Sequence, residues 1–342
     1  MNKRFGFTLL FCILFIAGCV TMKGEWKNAQ RMNTIDTYHD FLKNYPESKY
    51  KIEAEKKLLT LEWAKAKKID TIKSYEDFLA LYPNEVPLST DAKTKIGKLR
   101  LESAWKLATT NNTIKSYEDF LALYPKEVPL NGDARARIKE LQIKGFMQAA
   151  MTGDSSTLKD LLDNHTIDVN VTDSEGYTAL HKACKAGNLH AVHLLLQRGA
   201  TVNAFVYNNQ KEINRSISFN RSTGIVDHEF GIGATPLLFA CENGSADIVK
   251  LLIKYKANVN LGGKEGFEDA TPLCKAVQKG NTEIIKILIA NKAGVNVKGA
   301  PVLIENLRTA TISMGLATPM EIAKRLGRKQ IVQLLLKAGA VE

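Results

Sequence analysis

Apolar residues recur along most of the chain at the three- and four-residue spacings of helices. Between residues 71 and 83, Tyr75, Phe78, Leu79 and Tyr82 fall at i, i+3, i+4 and i+7. They form one stripe on a helix that Thr71 or Asp70 can cap and Pro83 stops. The stretch before it, about Ala54 to Lys68, carries Leu58, Leu61, Trp63 and Ala66 and predicts an antiparallel partner helix. The arrangement occurs three times: Trp26, Trp63 and Trp105 each lie eight residues before a Thr-Ile pair that opens T-I-x-x-Y-x-x-F-L-x-x-Y-P. The repeat intervals are 37 and 42 residues, and the second is assigned a longer loop at Pro87-Leu88-Ser89-Thr90. Residues 71–88 and 113–130 differ only at Asn84 against Lys126, so a duplication is visible within the chain.

Beyond Gly145 the period changes. Thr178-Ala179-Leu180-His181-Lys182-Ala183-Cys184 leads through Gly187-Asn188 to Val192, Leu194, Leu195 and Leu196, then Gly199-Ala200 and Val202-Asn203. Thr235-Pro236-Leu237, Thr271-Pro272-Leu273 and Thr318-Pro319-Met320 open further units, and Ala149-Ala150 with Leu158, Leu161 and Leu162 mark a degenerate first. Thr caps the first helix of each unit, and Pro fits its first turn because it lacks an N–H that would go unpaired. Gly187, Gly244 and Gly280 suit the turn into the second helix.

These residues resemble ankyrin repeats, about five units over residues 145–342. Residues 25–143 are similar to the tetratricopeptide-like repeats of bacterial envelope proteins, without the full 34-residue pattern. The resemblance implies an all-α chain of two helical-repeat solenoids whose units bury their apolar faces by stacking. In the ankyrin block the family's His survives only as His181; Met147, Leu238, Cys274 and Glu321 take its place. Lys256 and Lys292 stand where Gly199 ends a second helix, a left-handed position that costs a non-glycine residue roughly 1 kcal/mol.

The Thr-to-Thr spacings of 57, 36 and 47 residues exceed the family's 33 and place insertions at 204–233 and 298–316, in finger loops. The first alternates partially and suggests a long β-hairpin. Phe205, Tyr207, Arg215, Phe219, Arg221, Phe230, Leu303 and Arg308 are the candidate partner contacts, since aromatic residues and Arg dominate interface energetics. The alternative, that the apolar residues complete the solenoid's own core, stays open.

At the N-terminus Lys3 and Arg4 precede an apolar run, Phe7 to Ile16, too short for the roughly 20 residues of a membrane span. Ile16-Ala17-Gly18-Cys19 resembles the bacterial lipobox, which implies a signal peptide over 1–18 and acylation of Cys19. Val20 follows where lipoproteins of the inner membrane carry Asp, which favours the outer membrane facing the periplasm. Residues 19–24 form the expected lipidated tether, and an extended Val20 to Gly24 reaches only about 17 Å.

The net charge of +11 is spread thinly over the 342 residues: +2 from Lys3 and Arg4, +5 from residues 19–145 and +4 from 146–342. No basic run or nucleic-acid motif is present, so nucleic acid is not expected as a partner. Five Cys exclude a disulfide framework, and Cys184, Cys241 and Cys274 are expected as buried thiols. His190 and His193 share a helix face without an evident third ligand. No phosphate loop, dinucleotide fingerprint or nucleophile elbow occurs. The expectation is a monomeric, cofactor-free, non-enzymatic scaffold on the membrane that binds a protein partner. An immunity lipoprotein that neutralises a toxin acting in the periplasm is the alternative.

Overall fold

The computed structural model describes residues 21–164, 167–206, 217–220, 225–228, 233–262, 271–306 and 311–341. The chain forms two compact units, Met1–Ala134 and Arg135–Glu342. The expected boundary near residue 144 lies further along the helix in which the units divide, α7 (Val128–Thr152).

The first unit is a series of three helical hairpins. Helix α1 (residues 21–32) pairs with α2 (Ile35–Asn44), α3 (Lys51–Ile69) with α4 (Ile72–Leu81), and α5 (Leu88–Asn111) with α6 (Ile114–Leu123). Asn33, Asp70 and Asn112 turn the chain between paired helices in the left-handed conformation (φ 47°, 50° and 47°), tolerated by short polar side chains. The next residue, Thr34, Thr71 or Thr113, is the N-cap, in a reciprocal capping box with Thr37, Ser74 or Ser116. Thr71 therefore starts α4, while Asp70 ends α3 and accepts a hydrogen bond from the Tyr75 hydroxyl at 2.7 Å. Asn33 and Asn112 do the same for Tyr38 and Tyr117, at 3.2 and 3.1 Å.

Each Trp lies against the Tyr and Phe of its own stripe. Trp63 sits 5.8 Å from Tyr75 and 5.0 Å from Phe78 between ring centroids, Trp105 6.0 and 5.0 Å from Tyr117 and Phe120. Tilted contacts at these distances contribute about 1 kcal/mol beyond the buried area. The longer second interval has a different cause from the one expected. Pro87 is the N-cap of α5, so Leu88, Ser89 and Thr90 are helical, and α5 (24 residues) exceeds α3 (19 residues) by the same five residues. Pro is compatible with this start because the first N–H groups of a helix have no intrahelical partner. Residues 21–24 are likewise helical, so the expected extended tether from Val20 to Gly24 contracts to about 1.5 Å per residue there.

In the second unit the C-terminal part of α7 pairs with α8 (Ser155–Asp163), α9 (Ala179–Ala186) with α10 (Leu189–Gln197), and α11 (Pro236–Asn243) with α12 (Ala246–Lys254). Two more pairs follow, α13 (Pro272–Lys279) with α14 (Thr282–Ala290) and α15 (Pro319–Arg325) with α16 (Lys329–Lys337). One core runs through all five pairs, from Phe146 and Leu158 through Leu195, Leu238, Ile248 and Ile285 to Leu335. Thr178, Thr235, Thr271 and Thr318 cap the first helices as expected. Gly187, Gly244 and Gly280 take φ of 78°, 88° and 78° at the turns.

Helices dominate, and the insertions add strands: β1 (Ile217–Asn220), β2 (Ile225–His228), β3 (Ala300–Asn306) and β4 (Thr311–Ala317). Each insertion forms an antiparallel hairpin. The two hairpins join through Ile225 opposite Val302 into one sheet of order β1-β2-β3-β4, which sequence reasoning did not foresee.

Candidate protein-interaction surface

The insertions leave the helical stack at bases fixed by hydrogen bonds. The Val206 N–H donates to the Ala234 carbonyl at 3.0 Å, and the Gly233 N–H to the Val206 carbonyl at 2.8 Å. His181, fully buried at the start of α9, ties this base to the stack. The Thr178 N–H donates to its Nδ1 at 3.1 Å, so Nε2 carries the proton and donates to the Ala204 carbonyl at 3.0 Å. Burial holds the imidazole pKa down at about 4, opposed by its backbone hydrogen bonds, and the ring is neutral. Tyr177 and Phe239 meet the His181 ring edge-on at 6.2 and 5.9 Å.

At the second insertion the Thr271 N–H donates to the Gly299 carbonyl at 2.9 Å and the Gly299 N–H to the Ala317 carbonyl at 3.0 Å. Cys274 stands where His181 does and turns its Sγ toward the Val297 and Ala317 carbonyls, both at 3.9 Å. In the last unit Glu321 accepts a 2.7 Å hydrogen bond from the Thr318 N–H, as His181 does from Thr178. In these two units Cys274 and Glu321 thus keep a polar side-chain contact where the family's His stands.

Of the candidate contacts, Phe205 is 37% exposed, directly beyond Ala204 at the base of the first insertion. Phe219 lies in β1 and Leu303 in β3, placed by their backbones in the common sheet. Tyr207, Arg215, Arg221, Phe230 and Arg308 lie outside the described residues, as does Cys19.

A second set of polar residues holds successive repeats in register; sequence reasoning named only Asn203 of it, as part of the repeat pattern. Asn170, Asn203, Asn260 and Asn296 each donate Nδ2–H to the carbonyl of the left-handed residue that closes the next second helix: Gly199 (3.5 Å), Lys256 (3.3 Å), Lys292 (3.2 Å) and Gly339 (3.2 Å). Each Oδ1 accepts from the N–H two residues further on, of Thr201, Asn258, Gly294 or Val341, at 2.8–2.9 Å. Lys256 and Lys292 adopt the expected left-handed backbone, with φ of 71° and 68°.

The first helices also present charge. Lys182 pairs with Asp173 at 2.9 Å and Glu175 at 3.2 Å, with its ammonium 4.2 Å from the Tyr177 ring centroid. Glu242 accepts Lys275 at 3.7 Å and Lys279 at 3.8 Å. Cys184, Cys241 and Cys274 are buried free thiols, and burial pushes all three up, Cys274 to about 12. Among the described residues no group of three His, Cys, Asp or Glu could hold a metal ion, and His190 and His193 gain no third ligand.

Stacked helix pairs turned by left-handed glycines, with capped first helices and protruding fingers, make a protein-binding repeat array the class to which this geometry points. Residues 146–261 and 204–299 match the family model for ankyrin repeats (3 copies), so this part of the chain carries ankyrin repeats. It is 36% identical over 108 residues to the B-cell lymphoma 3 protein homolog of Mus musculus, covering 31% of this chain and 19% of that protein. It is 39% identical over 80 residues to alpha-latrocrustotoxin-Lt1a of Latrodectus tredecimguttatus (22% of this chain, 6% of the toxin). Inversin of Danio rerio is 45% identical over 58 residues (17% of this chain, 6% of inversin). The chain therefore spans less than a fifth of the length of these relatives.

Proposed function

We propose that this chain is a non-enzymatic scaffold of the bacterial envelope. It is held on the periplasmic face of the outer membrane by acylated Cys19 and binds a protein partner through its ankyrin block. The observation that carries the reading is the pair of insertions. The stack needs only short fingers, yet two long ones share a sheet and rise from bases anchored by His181 and Cys274. The lipobox-like Ile16-Ala17-Gly18-Cys19 supports the anchor.

A photo-crosslinking residue at Phe205 tests the contact in cells. The expected result is one specific adduct that disappears when residues 207–230 are deleted, and an adduct pattern indifferent to the deletion refutes the role of the insertion. The anchor has its own test: Cys19→Ala is expected to release the protein from membranes and abolish lipid labelling, and full membrane retention refutes it.

A further inference from the structure

The second helices α8, α10, α12 and α14 pack in sequence order, and the gaps between them are closed differently. Arg198, at the end of α10, pairs with Asp163 of α8. Lys250 of α12 pairs with Glu283 of α14 at 2.9 Å. Among the described residues no ion pair crosses from α10 to α12. Here an open groove of about 420 Å³ is lined by Leu189, His190 and His193 of α10 and by Asp247, Lys250, Leu251 and Lys254 of α12. Leu189 is 41% exposed, an apolar side chain left open where its neighbours along α10, Ala191 and Val192, are buried. Both walls carry nitrogen bases or ammonium groups, and the sole carboxylate of the lining, Asp247, already serves Lys250 at 3.5 Å. A carboxylate supplied from outside would meet imidazole N–H donors on the α10 side and the Lys254 ammonium on the α12 side.

We propose that this groove docks an acidic segment of a partner protein, with one apolar side chain seated between Leu189 and Leu251 and flanking carboxylates set against His190, His193 and Lys254. The Lys254 charge together with the imidazole donors opposite it selects the acidic occupant, and the exposed leucine selects a segment that also carries an apolar group. The proposal rests on reading the array as protein-binding, yet it uses second helices, so it stands or falls separately from the insertions.

Fluorescence anisotropy of the full chain tests it, with a short labelled peptide of glutamate and alanine bearing a central leucine as the probe. Binding is expected at about 20 mM salt and reduced at about 200 mM. The exposed double reversal His193→Glu with Lys254→Glu is expected to weaken it about tenfold or more. The control pair Lys93→Glu with Lys106→Glu makes a similar charge change on the exposed surface of α5 and is expected to leave binding within about twofold. Replacing the probe's leucine with serine is expected to weaken binding severalfold. The proposal is overturned by no detectable binding, by insensitivity to the groove reversal or to loss of the leucine, or by an equal effect of the control pair. Loss of the Phe205 adduct on deleting 207–230 with no binding here would overturn the groove alone.

Discussion

The left-handed lysines at 256 and 292 give the sharpest energetic test of the second unit. Both follow a helix C-cap, and in both repeats the next N–H, of Ala257 or Ala293, donates back to the Leu252 or Leu288 carbonyl at 2.9 and 3.0 Å. This closes the helix as Ala200 does after Gly199. The Asn203 and Asn260 amides then hold the carbonyls of the strained residues. A non-glycine residue in this conformation costs about 1–2 kcal/mol, and a glycine there adds about 0.4–1 kcal/mol of unfolded-state entropy to be lost on folding. Lys256→Gly is therefore expected to stabilise by about 0.5–1 kcal/mol. At a urea dependence of about 2 kcal/mol per M, the midpoint rises by about 0.3–0.5 M.

Urea unfolding of the whole chain followed by circular dichroism provides the measurement, with two controls of opposite sign. Lys286→Gly, exposed in the middle of α14, should cost about 1 kcal/mol because glycine there has only its helix penalty. At Gly199 (φ 86°) an added Cβ meets nothing within 4 Å, so Gly199→Ala should cost about 0.5–1 kcal/mol through conformation alone. If Lys256→Gly lowers the midpoint while both controls behave as stated, the backbone at 256 is not strained as argued.

Gly280→Ala should be worse than Gly199→Ala by at least about 1 kcal/mol in the same assay, because its Cβ would lie 1.5 Å from an Arg328 guanidinium nitrogen and break the 2.8 Å bond from Arg328 to the Gln278 carbonyl. His181 is held neutral in the fold with a pKa of about 4 against 6.5 when free, so the unfolded chain takes up the proton first. Stability is full above pH 6.5 and falls as pH drops toward 4, by about 2 kcal/mol at pH 5; His181→Gln should remove that part of the slope in urea titrations at pH 7 and pH 5. The three buried thiols should resist maleimide labelling in the native protein and react fully in denaturant, and rapid native labelling of Cys184 or Cys241 would contradict their burial. Asp70→Asn should be tolerated within about 0.5 kcal/mol, since Asn33 and Asn112 fill the same place, and should lower the Tyr75 pKa from about 12 in an ultraviolet pH titration.

What could be read from the residues was local. The stripe at Tyr75, Phe78, Leu79 and Tyr82, the Thr caps, Pro at the first turn and the left-handed glycines all act within one or two helical turns, where spacing carries the information. The start of α5 was misread because Pro87 marks a loop and a helix N-terminus equally well, and only the packing of Ala92 and Ile96 decides between them. The asparagine clamps were not legible because their partners are backbone carbonyls 29, 53, 32 and 43 residues away, a separation that varies with the insertion between. A backbone carbonyl leaves no residue type to recognise. The sheet was hidden for a related reason: each hairpin is a local pattern, but the pairing of Ile225 with Val302 joins two insertions separated by two complete helix pairs, α11–α12 and α13–α14.

The residue three beyond each capping Thr shows how local and long-range demands meet. His181 precedes the insertion with 24 residues beyond the family period and donates from Nε2 to the base of that insertion. Cys274 precedes the one with 14 and approaches two carbonyls of its base with a weaker donor. Leu238 precedes an excess of only three and is wholly buried with no side-chain polar atom to offer. A buried carbonyl left unsatisfied costs about 1–3 kcal/mol, so a side-chain donor directed at the base of a long finger offsets a cost of that order. At His181, Cys274 and Leu238 hydrogen-bonding capacity thus follows the length of the insertion ahead, whereas Glu321 of the last unit turns its carboxylate to its own Thr318 N–H. His181 and Cys274, the side chains that hold the two long fingers, are therefore those whose removal should loosen the surface offered to a partner.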